Sequence, residues 1–183
     1  FLIATGMIIA RKKRKENIAE YILYMWQIED IIRANNLNIT KIENNIIQKF
    51  DQSTEIKKQI REWYESLIEM MITETIQTKG HLQINKNSLS LLTDFHKELL
   101  LDYQEIGYQN SFYKSLPYIN ELRQKNKEKD LSDIEICFNL MYGILLLRVQ
   151  KKEISESTLQ AAQVVRRFLA ILSKKFKEKE EEE

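Results

Sequence analysis

Carboxylates and histidines are the first residues to test for chemistry, because helical bundles often hold metals or acid–base pairs between them. Glu62, Glu65 and Glu69 are close together in the chain. They fall opposite an apolar stripe, so we expect them to face water. His81 and His96 are the two histidines, and neither follows a glutamate by three residues, the spacing that di-iron bundles use. The sequence therefore predicts no metal site.

Two other charged residues occupy positions where apolar residues are expected. Glu29 lies on the apolar face of the first long predicted helix, one turn before Arg33, and Arg148 falls on the inner face of a later apolar helix. Buried charges usually need partners, so the first interpretation is an ion pair of Glu29 with Arg33 or Arg148 inside the core. The alternative is a pocket for a polar ligand. Its candidate ligand-binding residues are Trp26, Glu29, Arg33, His81 and Arg148.

Nucleophilic catalysis has no recognisable motif in this chain. A Gly-x-Ser-x-Gly elbow, a P-loop and a Gly-rich dinucleotide turn are all missing from the sequence. Cys137 lies on the core side of a predicted helix, where we expect an inert thiol. His81 follows Gly80, where it either caps carbonyl groups or acts as a base or ligand in a loop. We predict no catalytic residue and no cofactor, and we favour a protein that is not an enzyme.

The charge balance argues against polyanionic partners. The chain has 28 Lys and Arg residues against 27 Asp and Glu residues, a net charge of +1, so we expect neither nucleic acid nor membrane as a partner. The basic run from Arg11 to Lys15 is diluted by Glu16 and Glu20. We interpret the run as a solvated helix start, with contact to phosphates or anionic lipid as a third alternative.

Helix breakers are few, with four glycines and a single proline, Pro117, and no run of useful length alternates as a strand does. The sequence predicts an all-α, single-domain bundle of six or seven helices around one core. Ser53 or Thr54 is expected to cap a helix start, Gly80 to end that helix, and Ser132 with Glu135 to form a capping box. The predicted helices cover about 14–33, 39–50, 54–79, 88–101, 103–127 with an interruption at Pro117 that Ser115 would cap, 132–150 and 155–176.

The two ends of the chain differ from the rest. Residues 1–10 are apolar but too short to cross a bilayer, and the basic run follows them, the reverse of the order in a secretory signal. We interpret 1–10 as an N-terminal extension with Met7 as the natural start, and the tail of a truncated membrane anchor as the minor alternative. Residues 11–176 form the predicted helical domain, and 177–183 a disordered charged tail. The single cysteine fits a reducing cytoplasm.

Several strings of the sequence carry a resemblance to a known family. They are 7–21 (MIIARKKRKENIAEY), 24–30 (YMWQIED), 80–87 (GHLQINKN), 116–119 (LPYI) and 142–148 (YGILLLR). Together they resemble an uncharacterised family of small helical proteins from Bacteroidetes, with similarity from Met7 to about Lys175. The resemblance implies a bacterial, cytoplasmic setting and supports Met7 as the start. It brings no catalytic residue, cofactor or partner.

The leading functional hypothesis is a non-enzymatic helical domain that acts through protein–protein contacts, including those of a homodimer. The predicted helix at 132–150 is apolar over most of its circumference, and the one at 54–79 carries a broad stripe flanked by Tyr64, Ile68 and Ile72. A face of this kind that stays uncovered in the monomer is expected to be an interface. The rival hypothesis is a small-molecule-binding or catalytic bundle at the candidate residues around Glu29.

Overall fold

The computed structural model describes residues 6–125 and 130–182, and every regular element in them is a helix. The all-α prediction is confirmed. The described residues hold eight α-helices rather than six or seven, since the first predicted helix is divided at Asn17. The helices are α1 (Gly6–Glu16), α2 (Ile18–Ala34), α3 (Ile39–Asn45) followed by a 3-10 helix (Ile47–Lys49), α4 (Thr54–Thr73), α5 (Gln83–Leu101), α6 (Ile106–Lys125), α7 (Asp133–Val149) and α8 (Glu156–Glu182).

The chain comprises two compact units, residues 1–87 and 88–183, and α5 begins in the first and continues in the second. The predicted N-terminal extension lies partly outside the described residues, and α1 begins at Gly6. At the other end, α8 continues to Glu182 where the sequence predicts a disordered tail. Ion pairs four residues apart support these last turns: Lys174 with Glu178 at 3.8 Å and Lys177 with Glu181 at 3.6 Å.

Asn17 separates α1 from α2 in the first unit. Its backbone is extended, with φ of −159°, and its side-chain oxygen accepts a hydrogen bond from the amide of Glu20 at 3.1 Å. Asparagine in this position is a preferred helix N-cap, because it satisfies an amide that has no partner within the helix. Helix α2 therefore starts afresh, and α1 packs against both α2 and α4.

Helix α4 begins at its predicted cap, Ser53, but ends at Thr73 rather than near Lys79. The amide of Ile76 donates to the carbonyl of Met71 at 3.0 Å, and the amide of Thr75 to that of Ile72 at 3.1 Å. Thr75 has φ of 56°, so these two bonds form a Schellman end. Gly80 does have a positive φ, 92°, but it lies in the following connection. The prediction that it ends α4 is wrong, because Ile76 packs on the core and turns the chain earlier.

The second unit packs its aromatic side chains around Phe168 of α8. The rings of His96, Tyr108 and Phe112 lie 5.7, 5.6 and 5.6 Å from it between centroids. Helix α8 packs against both α6 and α7, and the predicted capping box of Ser132 and Glu135 starts α7.

Pro117 lies inside α6 without ending it. Ser115 was expected to cap a new helix there, and that prediction is wrong: its side chain is buried, and its hydroxyl donates to the Ser111 carbonyl at 3.1 Å. A hydroxyl that bonds back to the preceding turn is compatible with a continuous helix. None of the described helices combines the length and the hydropathy that a bilayer-spanning helix needs.

Candidate functional site

Glu29 is fully buried on α2, as its place in the apolar stripe predicts. One carboxylate oxygen, Oε1, accepts from the backbone amide of Leu82 at 2.8 Å and from Nδ2 of Asn85 at 2.6 Å. The other, Oε2, accepts from Nδ1 of His81 at 2.5 Å. The predicted pair of Glu29 with an arginine is therefore wrong: its partners are an imidazole, an amide side chain and a backbone N–H.

The His81 ring is held from two sides. Its Nδ1 is bound to Glu29, and its face stacks on the Trp26 indole with the ring centroids 4.1 Å apart and the planes 13° apart. Trp26 is buried, whereas His81 is partly exposed. The structure thus brings together three of the five candidate residues, and it adds Asn85, which the sequence did not point to.

Arg33, one turn after Glu29 on α2, binds the same connection in another way. Its Nη1 pairs with Asp30 at 3.0 Å, while Nη2 donates to the backbone carbonyls of Ile76, at 3.1 Å, and of Gly80. Arginine carries several N–H donors in a fixed plane, which suits it to binding more than one oxygen. The guanidinium therefore donates hydrogen bonds to two backbone carbonyl groups of the connection between α4 and α5.

Glu29 and Arg33 of α2 bind opposite polar groups of this connection, its amides and its carbonyls. Arg33 donates to its carbonyl groups, and Glu29 accepts from the amide of Leu82, the residue before α5. A second carboxylate, that of Glu74, accepts from the amide of Gln83 at 2.7 Å. The first amides of a helix lack partners within the helix and favour negative charge nearby. These contacts explain why α5 begins at Gln83, before the expected start at Ser88.

Arg148 does not belong to this cluster. It lies on α7 in the second unit and its side chain is exposed, so its predicted place on an inner face is wrong. The last two residues of α7, Arg148 and Val149, are both exposed, whereas Leu146 and Leu147 before them are partly buried. The wheel that placed Arg148 inward assumed that the core reaches the end of this helix, and it ends earlier. A ligand-binding role for the remaining four residues stays a prediction.

The cluster has an oriented imidazole, which is one feature of a catalytic site, but no nucleophile of the described residues is bonded to that imidazole. A carboxylate that holds an imidazole by Nδ1 orients it as a base, as in hydrolase triads. Among the described residues, however, no hydroxyl or thiol is within hydrogen-bond distance of His81. Cys137 is buried, and burial raises the pKa of its thiol. The part of the chain that the structure describes contains no group of three His, Cys, Asp or Glu residues placed to hold a metal. The contacts of the cluster hold the connection before α5, and the first turn of α5, against α2.

An exposed apolar surface in the second unit was not predicted. Four large side chains around the turn from α5 to α6 are in water: Leu101 (87% exposed), Tyr103 (80%), Ile106 (61%) and Tyr113 (58%). We call these four residues the corner patch. The turn is held by Gln109, whose Nε2 donates to the Asp102 carbonyl at 2.8 Å and to the Leu100 carbonyl at 3.2 Å.

Comparison with protein families identifies a family for this chain. The model of the family described as a domain of unknown function (DUF4924) covers residues 7–183. The chain belongs to this family. Searches of curated proteins and of solved structures found no match. The family description assigns no role to any residue.

A signal for the corner patch is present in the sequence in retrospect. Residues 106–113 (IGYQNSFY) contain no charge, although the exposed face of a helix in this chain is usually charged, as Lys58, Glu62 and Glu69 show on α4. Hydrophobic periodicity alone could not find it, because it assigns Ile106 and Tyr113 to a core as readily as to a surface.

Proposed function

We propose that this chain is a non-enzymatic helical interaction domain that associates with a second copy of itself through the corner patch. The observation that carries the proposal is the exposure of Leu101, Tyr103, Ile106 and Tyr113 in the described structure. Exposed large apolar side chains grouped at one place are typical of interaction sites. Aromatic residues are also enriched, and charged residues depleted, at the centres of interfaces.

The chemistry of the patch favours a second copy over a charged partner. Ile106 and Tyr113 are seven residues apart on α6, so they lie on one face, and Asn110 and Pro117 continue that face without charge. In a two-fold dimer the same surface meets itself, and the four side chains of the corner patch carry no charge that would repel its copy. Four side chains make a small contact area, so we expect weak association in the micromolar range.

The cellular setting is part of the proposal. The resemblance to small helical proteins of Bacteroidetes and the single, buried Cys137 support a bacterial cytoplasm, where thiols stay reduced. The contacts of the Glu29 cluster also support the interaction role, because they hold the chain and include no hydroxyl or thiol of the described residues bonded to His81.

Light scattering after size exclusion, over loading concentrations from about 5 µM to about 500 µM, tests the proposal. We expect the mass to rise from that of a monomer toward that of a dimer for the wild type, and to stay monomeric for Ile106→Lys. Val149→Lys is the matched control, because it places the same charge on an exposed aliphatic residue of α7. A wild type that stays monomeric at the highest concentration, or a control that dissociates as Ile106→Lys does, contradicts self-association through this patch.

A further inference from the structure

A groove of about 720 Å³ runs along the first unit. Its walls come from α1, α2, α4 and the first turn of α5, all within residues 10–84. The volume is within the usual range for small-molecule sites, roughly 300–1,000 Å³. The groove contains neither Glu29 nor any residue of the corner patch, so it is a separate feature of the molecule.

The floor of the groove is apolar. Its side chains lie on three helices and include both an indole and two thioethers, which adapt to irregular apolar ligands. Leu67 and Met25 are buried beneath it, while Trp63 and Met70 are partly exposed. The floor residues are Tyr21, Met25, Trp63, Leu67, Met70 and Ile84.

One rim of the groove is basic. Arg11, Lys12, Arg14 and Lys15 of α1 all line it, and none of the described residues that line it is acidic. Lys12 lies 3.9 Å from Glu16 in an exposed pair, which neutralises little of its charge. Arg11 and Lys15 form no ion pair with any residue that the structure describes. Positive charge therefore stands directly beside an apolar floor.

This combination restricts the ligand. An anion without an apolar part would leave the floor in water, and a neutral apolar molecule would leave the rim unpaired. A nucleic acid needs a longer basic face than one short helix supplies. A partner helix, about 10 Å across, is larger than a groove of this volume accommodates along several turns. The remaining class is a small molecule that has one anionic head and one apolar chain.

We propose that the groove binds a free single-chain anionic amphiphile, such as a long-chain carboxylate. The chain lies on the floor between Met25, Trp63 and Met70, and the head group lies among Arg11, Arg14 and Lys15. The site goes beyond the proposed self-association and uses residues of the first unit alone. Its affinity has two separable parts, burial of the chain and attraction of the head group.

Calorimetric titration with three ligands of equal chain length separates these parts: dodecanoate, dodecyltrimethylammonium and dodecanol. The two ionic ligands are kept below their micellar concentrations and dodecanol below its solubility. We expect dodecanoate to bind at least tenfold more tightly than either of the others, and less tightly as salt is raised. Shortening the chain to decanoate should weaken binding about tenfold, because each buried methylene contributes about 0.8 kcal/mol. Equal binding of dodecanol and dodecanoate would overturn the proposal.

Two variants test the location of the site. Arg11→Glu with Lys15→Glu reverses the rim, and we expect it to weaken dodecanoate binding at least tenfold while dodecanol is unaffected. Ser66→Trp places a large ring on an exposed lining residue, and we expect it to weaken both ligands. The control is Lys151→Glu with Lys152→Glu, the same charge change on exposed residues of the second unit.

The side chains that these variants change are exposed, so the fold should persist, and circular dichroism with a thermal midpoint checks that it does. An equal loss of dodecanoate affinity in the Lys151/Lys152 control would show a general charge effect and overturn the site. Binding to phosphatidylglycerol vesicles without any binding of free dodecanoate would assign the rim to a membrane surface instead, and would also overturn it.

Discussion

His96 shows at the scale of one residue how burial decides chemistry. Its ring is buried among Tyr108, Phe112 and Phe168, and Nδ1 lies 2.6 Å from the Tyr108 hydroxyl. Removal from water disfavours the charged imidazolium and lowers the pKa of His96 to about 4. The charge of Asp133 opposes this shift, and that of Lys97 adds to it. The histidine is therefore a neutral core residue at pH 7 and takes no part in either proposed site.

A testable consequence is acid sensitivity of the fold. Between pH 6.5 and pH 4 the unfolded chain binds a proton at His96 that the folded chain does not, so the free energy of unfolding falls as the pH is lowered. From pH 7 to pH 5 the loss from this residue should be about 2 kcal/mol. Urea unfolding of the wild type and of His96→Asn, which keeps an acceptor near the Nδ1 position, measures it. The variant is less stable at pH 7, and its stability should fall less between the two pH values; an equal fall in both proteins contradicts the assignment.

The start of α5 shows at the scale of an element how a helix can depend on distant residues. The helix has no Ser, Thr, Asp or Asn at its own start, where Leu82 precedes Gln83. The carboxylates of Glu29 and Glu74 take the place of such a cap by accepting from the amides of Leu82 and Gln83. Arg33 holds the preceding carbonyls. Helix α2 and the C-terminal cap residue of α4 thus supply the hydrogen-bond acceptors that the local sequence lacks.

Removal of the Glu29 carboxylate should loosen this start. Glu29→Ala leaves the amide of Leu82 and Nδ2 of Asn85 buried without an acceptor, and we expect a loss of about 3 kcal/mol or more in the free energy of unfolding. Glu29→Gln keeps one oxygen for those two donors, so we expect a loss of about 1 kcal/mol. Urea unfolding measures both, and hydrogen exchange should show faster exchange at Leu82 and Gln83 in the alanine variant.

The matched control for this prediction is Glu62→Ala, which removes an exposed carboxylate from α4. Its effect should stay within about 0.5 kcal/mol, because exposed ion pairs contribute little. If Glu29→Ala and Glu62→Ala destabilise the fold equally, Glu29 does not hold the start of α5 in place.

At the scale of the whole molecule, the two proposed surfaces belong to different compact units. The basic and apolar groove is built from residues of 1–87, and the corner patch from residues of 88–183. They share no residue. The groove combines basic and apolar side chains, whereas the four side chains of the corner patch are uncharged. Binding at one surface is therefore expected to leave the other unchanged.

Cross-testing of the variants measures this independence. Ile106→Lys should leave the dissociation constant of dodecanoate unchanged within about twofold. Arg11→Glu with Lys15→Glu should leave the dimer dissociation constant unchanged within the same limit, as for independent sites whose effects add. Calorimetry and light scattering give the two constants. A change of tenfold or more in either cross-test would show that the two surfaces are coupled.

The sequence by itself determined what depends on residues within one or two turns of each other. Hydrophobic spacing and few breakers predicted an all-α fold, Ser53 and the Ser132–Glu135 box predicted two helix starts, and the stripe on α2 predicted the burial of Glu29. Such patterns are local because a helix repeats every 3.6 residues and its caps act within its first turn.

The tertiary structure alone decided which groups Glu29 meets, where α5 begins, and which apolar faces stay in water. The partners of Glu29 are 52, 53 and 56 residues away in the chain. Of the two partners that the charge pattern suggested, Arg33 binds carbonyl groups instead and Arg148 lies exposed on α7. A charge pattern shows that a buried carboxylate needs donors, but not which donors the chain brings to it. In the same way, the spacing of Ile106 and Tyr113 marks an apolar face, and only packing determines whether another helix covers it.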